Sequence, residues 1–448
     1  MPQSIDLLAA RVPRYTSYPT APHFHGSVGA RAFRGWLEEL PKSTPLSAYL
    51  HIPFCDTLCW FCGCHTRVVN TYRPVEDYLG WLFREIDLVE SAVGQSRPVT
   101  HIHWGGGSPT LLAPRDVLRL ADKLRSTFDV DSNCEFSVEI DPRGLGDSTI
   151  AALASAGVTR ASIGVQDCDP AVQRAVNRLQ PFCVTQSAVD RLRRSGIESI
   201  NIDLMYGLPH QTVTGVEQTV QAVLALEPQR LAVFGYAHVP GFKKHQQLIR
   251  EEDLPRSEER LQQFEAARAL LEASGYDPIG LDHFAKPTDA LAIARRKGTL
   301  RRNFQGYTTD TSPALVGLGA SSISALPQGY AQNIADVPAW REALGRSDFA
   351  TARGIALSSE DRARREIIEE LMCHLQTDVA AVAQRHGLPT STFDAELAEL
   401  QAYAREGFLS IEDRRVRVPT GARALVRVVS AAFDAYLRAG SAKHSMAV

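Results

Sequence analysis

Three closely spaced cysteines in the first part of the 448-residue chain could hold an iron–sulfur cluster. Cys55, Cys59 and Cys62 follow the spacing Cys-x-x-x-Cys-x-x-Cys. A [4Fe–4S] cluster has four irons, so three thiolates leave one iron without a protein ligand. That open iron could bind and reduce a small molecule. The spacing therefore predicts a reactive cluster.

Other interpretations of these cysteines fit the spacing less well. A structural zinc site usually pairs two Cys-x-x-Cys knuckles about a dozen or more residues apart, but no second knuckle follows Cys64. A disulfide framework is typical of short secreted chains. The four remaining cysteines are scattered, and we interpret them as buried free thiols: Cys134, Cys168, Cys183 and Cys373.

A run of three glycines follows a predicted strand, in residues 105–110, Gly-Gly-Gly-Ser-Pro-Thr. Without Cβ atoms, such a run lets a ligand approach the main-chain N–H and C=O groups. It is not a phosphate-binding P-loop, because no Gly-Lys-Ser/Thr follows it. A tight turn would explain one or two glycines. Beside the cysteine segment, however, the run predicts a ligand site.

Three polar residues lie in or directly after later predicted strands, and a fourth, Arg178, lies further along the chain. Glu139 and Asp203 stand in apolar runs, and charged side chains are rarely buried without partners. We interpret both as ligand-binding residues, with a buried ion pair as the alternative. Gln166 and Arg178 are unremarkable alone, and Arg178 could equally be a solvated helix residue.

Short apolar runs alternate with amphipathic stretches between about residues 46 and 240, which predicts a parallel sheet with right-handed crossovers. The sheet could close into a barrel or stay open and curved, and ligands would bind at the C-terminal ends of its strands. The predicted strands are residues 46–52, 99–104, 134–140, 160–165, 199–205 and 231–237. The predicted helices are residues 75–91, 114–127, 148–156, 170–174 with 184–195, and 214–225.

The regions on either side of this pattern differ from it. Residues 13–20 are rich in turn-forming and aromatic residues and do not favour a helix. From about residue 330 the pattern becomes helical and resembles a winged-helix module, which we expect to pack or cover rather than to bind DNA. Its predicted elements are helices over 360–375, 379–385, 392–406 and 421–437, and a hairpin over 408–418.

Composition excludes several classes of protein. Apolar residues make up 44% of the chain, and the formal net charge is −3, which gives no support for general nucleic-acid or membrane-surface binding. We expect no signal peptide and no transmembrane helix, because no long apolar run is present. The cytosol is therefore the expected location.

Together these motifs resemble one family. The sequence is similar to the oxygen-independent coproporphyrinogen III oxidases (dehydrogenases) of bacterial haem biosynthesis, in the radical S-adenosylmethionine (SAM) superfamily. The matching segments are the cysteine segment and residues 13–20, 103–110, 164–167, 201–209, 236–240, 282–285, 302–308 and 330–333.

The resemblance implies an α/β fold: a partial (β/α)6 radical SAM barrel with an N-terminal extension and a mostly helical, winged-helix-like C-terminal domain. The domains would span residues 1–44, 45–330 and 331–448. The first would cover the substrate, the second would be the catalytic barrel with its extension, and the third would be helical. We assign no role to the tail after Leu437.

The resemblance also implies a [4Fe–4S] cluster on Cys55, Cys59 and Cys62, and two molecules of SAM. Ser108 stands where the family pattern has Thr, but the hydroxyl is kept. Cys64 matches a fourth cysteine that is not a ligand. The cluster-bound SAM would contact Tyr49, Gly106 and Glu139. The second SAM would contact Phe61, Gly107, Ser108, Gln166, Arg178, Asp203, Ala237 and Ile323.

The implied reaction converts the ring A and B propionates of coproporphyrinogen III to vinyl groups, giving protoporphyrinogen IX. A 5′-deoxyadenosyl radical would take a hydrogen from each propionate β-carbon, with loss of CO₂ and one electron. An electron donor and an acceptor of unknown identity are required, and we expect a monomer. Candidate partners for the substrate carboxylates are Arg14, Lys243 and Lys244, and a solvated surface charge is the alternative for each.

Two alternatives stay open. Radical-SAM-like haem carriers bind haem without turnover, but they typically lack a segment like residues 13–20 and have Asp-Phe in place of Gly63 and Cys64. Another radical SAM enzyme acting on a tetrapyrrole is the second alternative. Tight haem binding without turnover would indicate the carrier, and a methylated tetrapyrrole product would indicate the other enzyme.

Overall fold

The structure is a computed structural model that describes residue 10 and residues 12–439. The expectation of no signal peptide and the role of the C-terminal tail fall wholly or mainly outside the described residues. No helix in the described part of the chain is both long enough and apolar enough to cross a membrane.

The strands of the described chain form four sheets, of which the largest has twelve strands. In chain order the strands are β1 (Leu46–Ile52), β2 (Phe54–Cys55), β3 (Arg67–Val68), β4 (Pro98–Gly106), β5 (Asp129–Ile140), β6 (Arg160–Gln166), β7 (Ser199–Tyr206), β8 (Arg230–Gly235), β9 (Asp277–Ile279), β10 (His283–Ala285), β11 (Arg301–Asn303), β12 (Gly306–Thr308), β13 (Ala314–Leu318), β14 (Ile323–Leu326), β15 (Gly329–Asn333), β16 (Thr351–Ala356), β17 (Gln376–Asp378), β18 (Ser410–Glu412) and β19 (Arg415–Arg417).

Most α-helices either connect the parallel strands or build the C-terminal region. They are α1 (Ala30–Glu38), α2 (Arg73–Val93), α3 (Pro114–Thr127), α4 (Asp147–Ser155), α5 (Pro170–Ala175), α6 (Phe182–Arg194), α7 (Val213–Leu224), α8 (Ser257–Ala273), α9 (Ala290–Lys297), α10 (Val337–Gly345), α11 (Ser359–His374), α12 (Val379–Arg385), α13 (Asp394–Arg405), α14 (Val426–Ala431) and α15 (Ala435–Ala439).

The predicted parallel α/β sheet is confirmed. Strands β1, β4, β5, β6, β7 and β8 are adjacent in that order and mutually parallel, and a helix lies between each successive pair. The sheet does not close on itself: β13 continues it in parallel beside β1, and β10 continues it in antiparallel beside β8. The tertiary structure therefore favours the open alternative.

The core forms where helices cover the sheet. Leu79, Leu82, Ile86 and Val89 recur at helical spacing on α2 and are all buried, so one face of the helix packs on the strands. Strand β6 alternates buried and partly buried residues, as a strand does when its two faces differ. Its less buried face supplies side chains to the interior of the curved sheet.

The antiparallel half of the sheet was not predicted from sequence. Strands β14, β15 and β16 extend the sheet beyond β13 and carry it to Ala356. The predicted domain boundary at residue 330 falls inside β15, whose short strand has no helical or strictly alternating pattern. The domain limits thus stay a prediction, while the sheet itself extends further than the sequence pattern indicated.

The C-terminal region has its own apolar core, built from α11 to α14 and joined by Tyr15 and Tyr18 of the N-terminal segment. Strands β17, β19 and β18 form a small antiparallel sheet beside these helices, in keeping with the winged-helix-like expectation. The single helix predicted over 421–437 is wrong, since the chain there forms a 3₁₀ turn, α14 and α15. Asp434 starts the last helix because its Oδ1 accepts the N–H groups of Tyr436 and Leu437.

Candidate functional site

The C-terminal ends of the parallel strands bring the predicted motifs to one edge of the sheet. Ile52 at the end of β1 is paired with Gly106 at the end of β4, and Glu139 of β5 lies level with Ser162 of β6. The cysteine loop leaves β1 directly above this edge. Ligands of open parallel sheets bind at this position.

The cysteine loop is held by backbone bonds and by a second loop. Cys55 in β2 is paired with Val68 in β3, and the Cys62 N–H donates to the Cys59 carbonyl at 3.1 Å. The loop at residues 239–249, after β8, packs against it. There His245 Nε2 lies 2.7 Å from the Cys62 carbonyl, and Gln246 Nε2 donates to the Phe61 carbonyl at 3.0 Å.

The chemistry of the three cysteines fits an iron–sulfur cluster. In a [4Fe–4S] cluster each thiolate binds a different iron, and three cysteines leave one iron open. Cys55, Cys59 and Cys62 are free thiols on one short loop and fit such a group.

Two arginines face Cys59. Arg143 Nη2 and Arg178 Nη1 each lie 3.5 Å from its Sγ, and both also bond to Asp141 at 2.7 and 3.2 Å. Burial by itself would raise the pKa of Asp141, but the bonds from Arg143 and the charge of Arg178 hold it below its usual range. The cationic pair would stabilise the negative charge of a thiolate-bound cluster.

The thiols of Cys55 and Cys62 differ in their surroundings. Burial raises the pKa of Cys55 to about 11, and its Sγ lies 3.0 Å from Thr66 Oγ1. A hydrogen bond with Cys64, aided by the charges of Lys243 and Arg178, lowers the pKa of Cys62. Iron binds the thiolate form of cysteine, which these neighbours stabilise.

Each glycine of the run 105–107 has a neighbour that excludes a side chain. A Cβ on Gly105 would lie 2.7 Å from Glu139 Oε1, and one on Gly107 would lie 2.4 Å from the Phe54 carbonyl oxygen. Gly106 has φ +114°, and its Cβ would meet the His51 ring at 2.5 Å. The run therefore lets β4 approach both the cysteine strand and Glu139.

Glu139 is bound from two sides at the end of β5. Its Oε2 accepts the Gly106 N–H at 3.0 Å, and its Oε1 lies 3.3 Å from His103 Nε2. Burial would raise the pKa of Glu139, but these bonds and the charge of His103 hold it below its usual range. Glu139 is thus an ionised acceptor beside the glycine run, suited to an ammonium group.

Asp203 lies on β7 inside the curved sheet and is bonded to Ser162 Oγ at 3.0 Å and Asn201 Nδ2 at 2.8 Å. Burial raises its pKa. Gln166 ends β6 at a bulge with φ +70°, which turns the chain at the rim. Arg178 donates to the Gly164 carbonyl at 2.8 Å, so Gln166 and Arg178 are adjacent at this edge.

The other predicted site residues are distributed around the same rim. Tyr49 bonds to His51 Nδ1 at 2.9 Å and stacks on His103. Ser108 is buried and bonds to Thr110 Oγ1 at 2.9 Å. Phe61 packs with an apolar cluster at the end of β8, and the Ala237 carbonyl accepts from Gln246. Ile323 on β14 is in a separate apolar cluster with Phe24 and Tyr330, two strands from Tyr49.

Several site residues were missed from the sequence. His51 and His103 lie two residues from Tyr49 and Gly105, a strand spacing that puts each pair on one face, so alternation could have found them. Asp141 and Arg143 gave no such signal.

Of the three basic candidates for binding substrate carboxylates, Arg14 reaches the strand ends, where its Nη2 donates to the Gly235 carbonyl. Lys243 instead donates to the Cys64 carbonyl at 2.9 Å, and Lys244 is exposed.

The N-terminal segment brings an excess of positive charge to the end of β8. Arg302 donates to the Tyr15 and Arg14 carbonyls at 3.2 Å each, and Arg427 donates to the Pro13 carbonyl at 3.0 Å. Asp282 is the carboxylate whose charge acts on all three arginines. Burial and the charge of Arg14 lower the pKa of Arg427 to about 10.

Comparisons with known proteins find matching family models and relatives that cover nearly the whole chain. A family model described as the radical SAM superfamily matches residues 49–223, and one described as the HemN C-terminal domain matches residues 357–425. The oxygen-independent coproporphyrinogen III oxidase of Bradyrhizobium diazoefficiens is 47% identical over 98% of this chain and 97% of its own length. The enzyme of the same name from Escherichia coli is 40% identical over 95% and 93%.

A solved structure extends the likeness to the whole fold. The coproporphyrinogen III oxidase from Escherichia coli, described as a radical SAM enzyme, matches with a TM-score of 0.91 at 37% identity. The match covers 95% of this chain and 100% of that chain.

Proposed function

Because the chain belongs to the family of oxygen-independent coproporphyrinogen III oxidases, we propose that it converts coproporphyrinogen III to protoporphyrinogen IX. It is a radical SAM oxidoreductase of haem biosynthesis. The cysteine loop at the C-terminal edge of a parallel sheet, with the glycine run and Glu139 beside it, is the observation that carries this proposal. Each turnover would lose CO₂, one hydrogen atom and one electron from a propionate.

The residues present fit the cofactors that this chemistry needs. A [4Fe–4S] cluster and SAM, when bound, supply the 5′-deoxyadenosyl radical that takes the propionate hydrogen. Cys55, Cys59 and Cys62 would hold the cluster, and Arg143 and Arg178 would balance its charge. Glu139 would accept the ammonium group of SAM, because its carboxylate is ionised beside Gly106.

We also propose that a second molecule of SAM binds beside the first. Gln166 ends β6, Asp203 lies level with Gly164 on the neighbouring strand β7, and Arg178 donates to the Gly164 carbonyl. Phe61 and Ala237 are linked through Gln246. These residues would form a second polar and apolar surface beside the first SAM. Ile323 lies apart from them, on β14, and is the weakest member of the predicted set.

The substrate carries four carboxylates, and the arginine group at the end of β8 would attract them. Arg14, Arg302 and Arg427 share the carboxylate of Asp282, so the group keeps excess positive charge. Charge-assisted bonds from guanidinium to carboxylate are strong and directional. We propose that this group orients the propionates toward the cluster.

The direct test is anaerobic incubation of the cluster-reconstituted protein with SAM, a low-potential reductant and coproporphyrinogen III. Protoporphyrin, measured after oxidation, should form together with 5′-deoxyadenosine. 5′-Deoxyadenosine without protoporphyrin would point to another radical SAM substrate. Tight haem binding with neither product would make the chain a haem carrier.

The cluster ligands have a matched control within the same loop. Cys62→Ala should abolish the cluster and all turnover, because a thiolate ligand is lost. Cys64→Ser should leave the cluster assembled, since we do not assign Cys64 as a ligand. Visible absorption and iron content after anaerobic reconstitution measure both variants. A fully loaded, active Cys62→Ala protein would contradict the ligand assignment.

The reaction also needs an electron donor and an electron acceptor. We propose a monomer in the cytosol without nucleic-acid or membrane partners. The near-neutral formal charge of −3 and the free state of all eight cysteines support this.

A further inference from the structure

A second cavity lies between α9 and the C-terminal region, and it shares no lining residue with the interior of the curved sheet. Its volume is about 400 Å³, which is within the range of small-molecule sites. Arg295 of α9, Arg417 of β19, and Arg423 line it, together with His374 at the end of α11 and Thr420.

The lining of this cavity is basic and contains no carboxylate. Glu272 is the acid whose charge acts on Arg423, but Glu272 already bonds to Arg268 at 3.0 Å. Within the described residues, neither Arg295 nor Arg417 makes an ion pair. Three arginines therefore line one small space that has no carboxylate in its lining, while Glu370, Asp378 and Glu412 line the adjoining larger cavity that shares Arg295 and Arg417.

Arg423 is the most unusual of the three. Its side chain belongs to a residue that is only 5% exposed, and its buried Nε has no hydrogen-bond partner. Arg364 in the same region is similarly buried, but it bonds to Glu396 at 2.8 Å and to the Phe433 carbonyl at 3.0 Å. A buried charge without a partner is costly. The surroundings of Arg423 therefore lack an acceptor for its Nε–H group.

We propose that this cavity binds a small oxyanion with at least two negative charges, either a phosphate or paired carboxylates. Guanidinium groups bind both kinds of oxyanion through two parallel hydrogen bonds. Burial and the nearby charge of Arg295 lower the pKa of Arg423, and an anion would relieve both effects. Because Arg295 belongs to α9 and Arg417 to the C-terminal sheet, the anion would also join these two elements.

The test uses the cluster-loaded full-length protein under anaerobic conditions, in a buffer free of oxyanions at constant ionic strength. Inorganic phosphate and succinate are titrated separately by calorimetry. We expect one of them to bind with a Kd below about 1 mM. Binding of phosphate alone would identify a phosphate ligand, and binding of succinate alone would identify a carboxylate ligand.

Three variants separate a built site from general charge attraction. Arg423→Met and the exposed Arg417→Gln should each weaken binding by about tenfold or more. Arg405→Gln is the matched control, because Arg405 is an exposed arginine of α13 in the same region and does not line the cavity. It should leave binding unchanged.

Thermal melting gives an independent readout for Arg423. Without oxyanion, Arg423→Met should melt at or above the wild-type temperature, because an unpaired buried charge is removed. The ligand-induced rise in melting temperature should be lost in this variant. Failure of both oxyanions to bind the wild-type protein would overturn the proposal, as would equal weakening by Arg405→Gln and Arg417→Gln.

Discussion

At the scale of single residues, the glycines at 105–107 show how closely the two strands of the site approach. A Cβ on Gly107 would lie 2.4 Å from the carbonyl oxygen of Phe54, which directly precedes Cys55, the first proposed cluster ligand. Gly63, between Cys62 and Cys64, has no atom within 4 Å of its Cβ position. Two glycines of one site therefore have opposite tolerance for a methyl group.

This difference gives a matched pair of substitutions. Gly107→Ala should displace Phe54 and Cys55, lower the iron content after reconstitution and reduce stability by about 1–3 kcal/mol, as overpacking does. Gly63→Ala should leave iron content and stability close to wild type. Iron analysis and thermal melting measure both. Full cluster loading in Gly107→Ala would show that the Phe54 backbone can move without consequence.

At the scale of elements, one buried carboxylate connects α2 to the extension of the sheet. Glu85 on α2 is 2% exposed and accepts from the Gly319 N–H at 2.5 Å and Asn333 Nδ2 at 2.6 Å. Trp340 Nε1 of α10 donates at 3.3 Å. Burial raises the pKa of Glu85 to about 7, although these three donors favour the ionised form.

The raised pKa of Glu85 makes the folded chain less stable as the pH rises. The folded chain holds the Glu85 proton more tightly than the unfolded chain, so the free energy of unfolding should fall as pH rises from about 4.5 to about 7. This loss of stability is at most about 3 kcal/mol. It is complete above the pKa of Glu85 in the folded chain and absent below its pKa in the unfolded chain.

Glu85→Gln removes the titrating carboxyl group. It also places the NH₂ group of glutamine, a hydrogen-bond donor, beside the donors of Gly319, Asn333 and Trp340. The variant should therefore be less stable than wild type at pH 5, by about 1–3 kcal/mol, and the difference should shrink by pH 8. Urea unfolding midpoints across this range measure it. Glu76→Gln is the control on the same helix, because Glu76 is exposed and pairs with Arg115. Parallel pH profiles for wild type and Glu85→Gln would contradict the assignment.

At the scale of the whole molecule, the N-terminal segment connects the barrel to the C-terminal region. Arg14 reaches the end of β8, Tyr15 donates to Asp434 at 3.0 Å, and Arg427 holds the Pro13 carbonyl. Residues from the start and end of the chain thus meet at the mouth of the curved sheet. This position suits a cover that excludes water from the reaction.

If Arg14 attracts substrate carboxylates, its loss should affect binding more than turnover. Arg14→Gln should raise the KM for coproporphyrinogen III by about tenfold and change kcat much less. Arg31→Gln, on the exposed face of α1, should change neither. Anaerobic steady-state kinetics separate the two constants. A fall in kcat at unchanged KM would instead make Arg14 a residue of the reacting centre.

The sequence by itself determined the local part of this protein. The spacing of Cys55, Cys59 and Cys62 predicted the cluster loop, and the alternation of apolar runs predicted six parallel strands and most of their helices. The cysteine spacing and the apolar pattern are each formed by residues close together in the sequence, and at such short range the spacing reflects the local backbone geometry directly. The site residues at strand ends followed from the topology rule for parallel sheets.

The tertiary structure alone decided the rest. Arg143 and Arg178 both contact Cys59, although they lie 84 and 119 residues from it in the sequence, and nothing in local spacing marks such a contact. The strands β9 to β16 are too short to show a period, so their pairing and the open edge of the sheet depend on packing. The unpaired Arg423 is likewise visible only once burial and partners are known, because an unpartnered charge is a property of the fold.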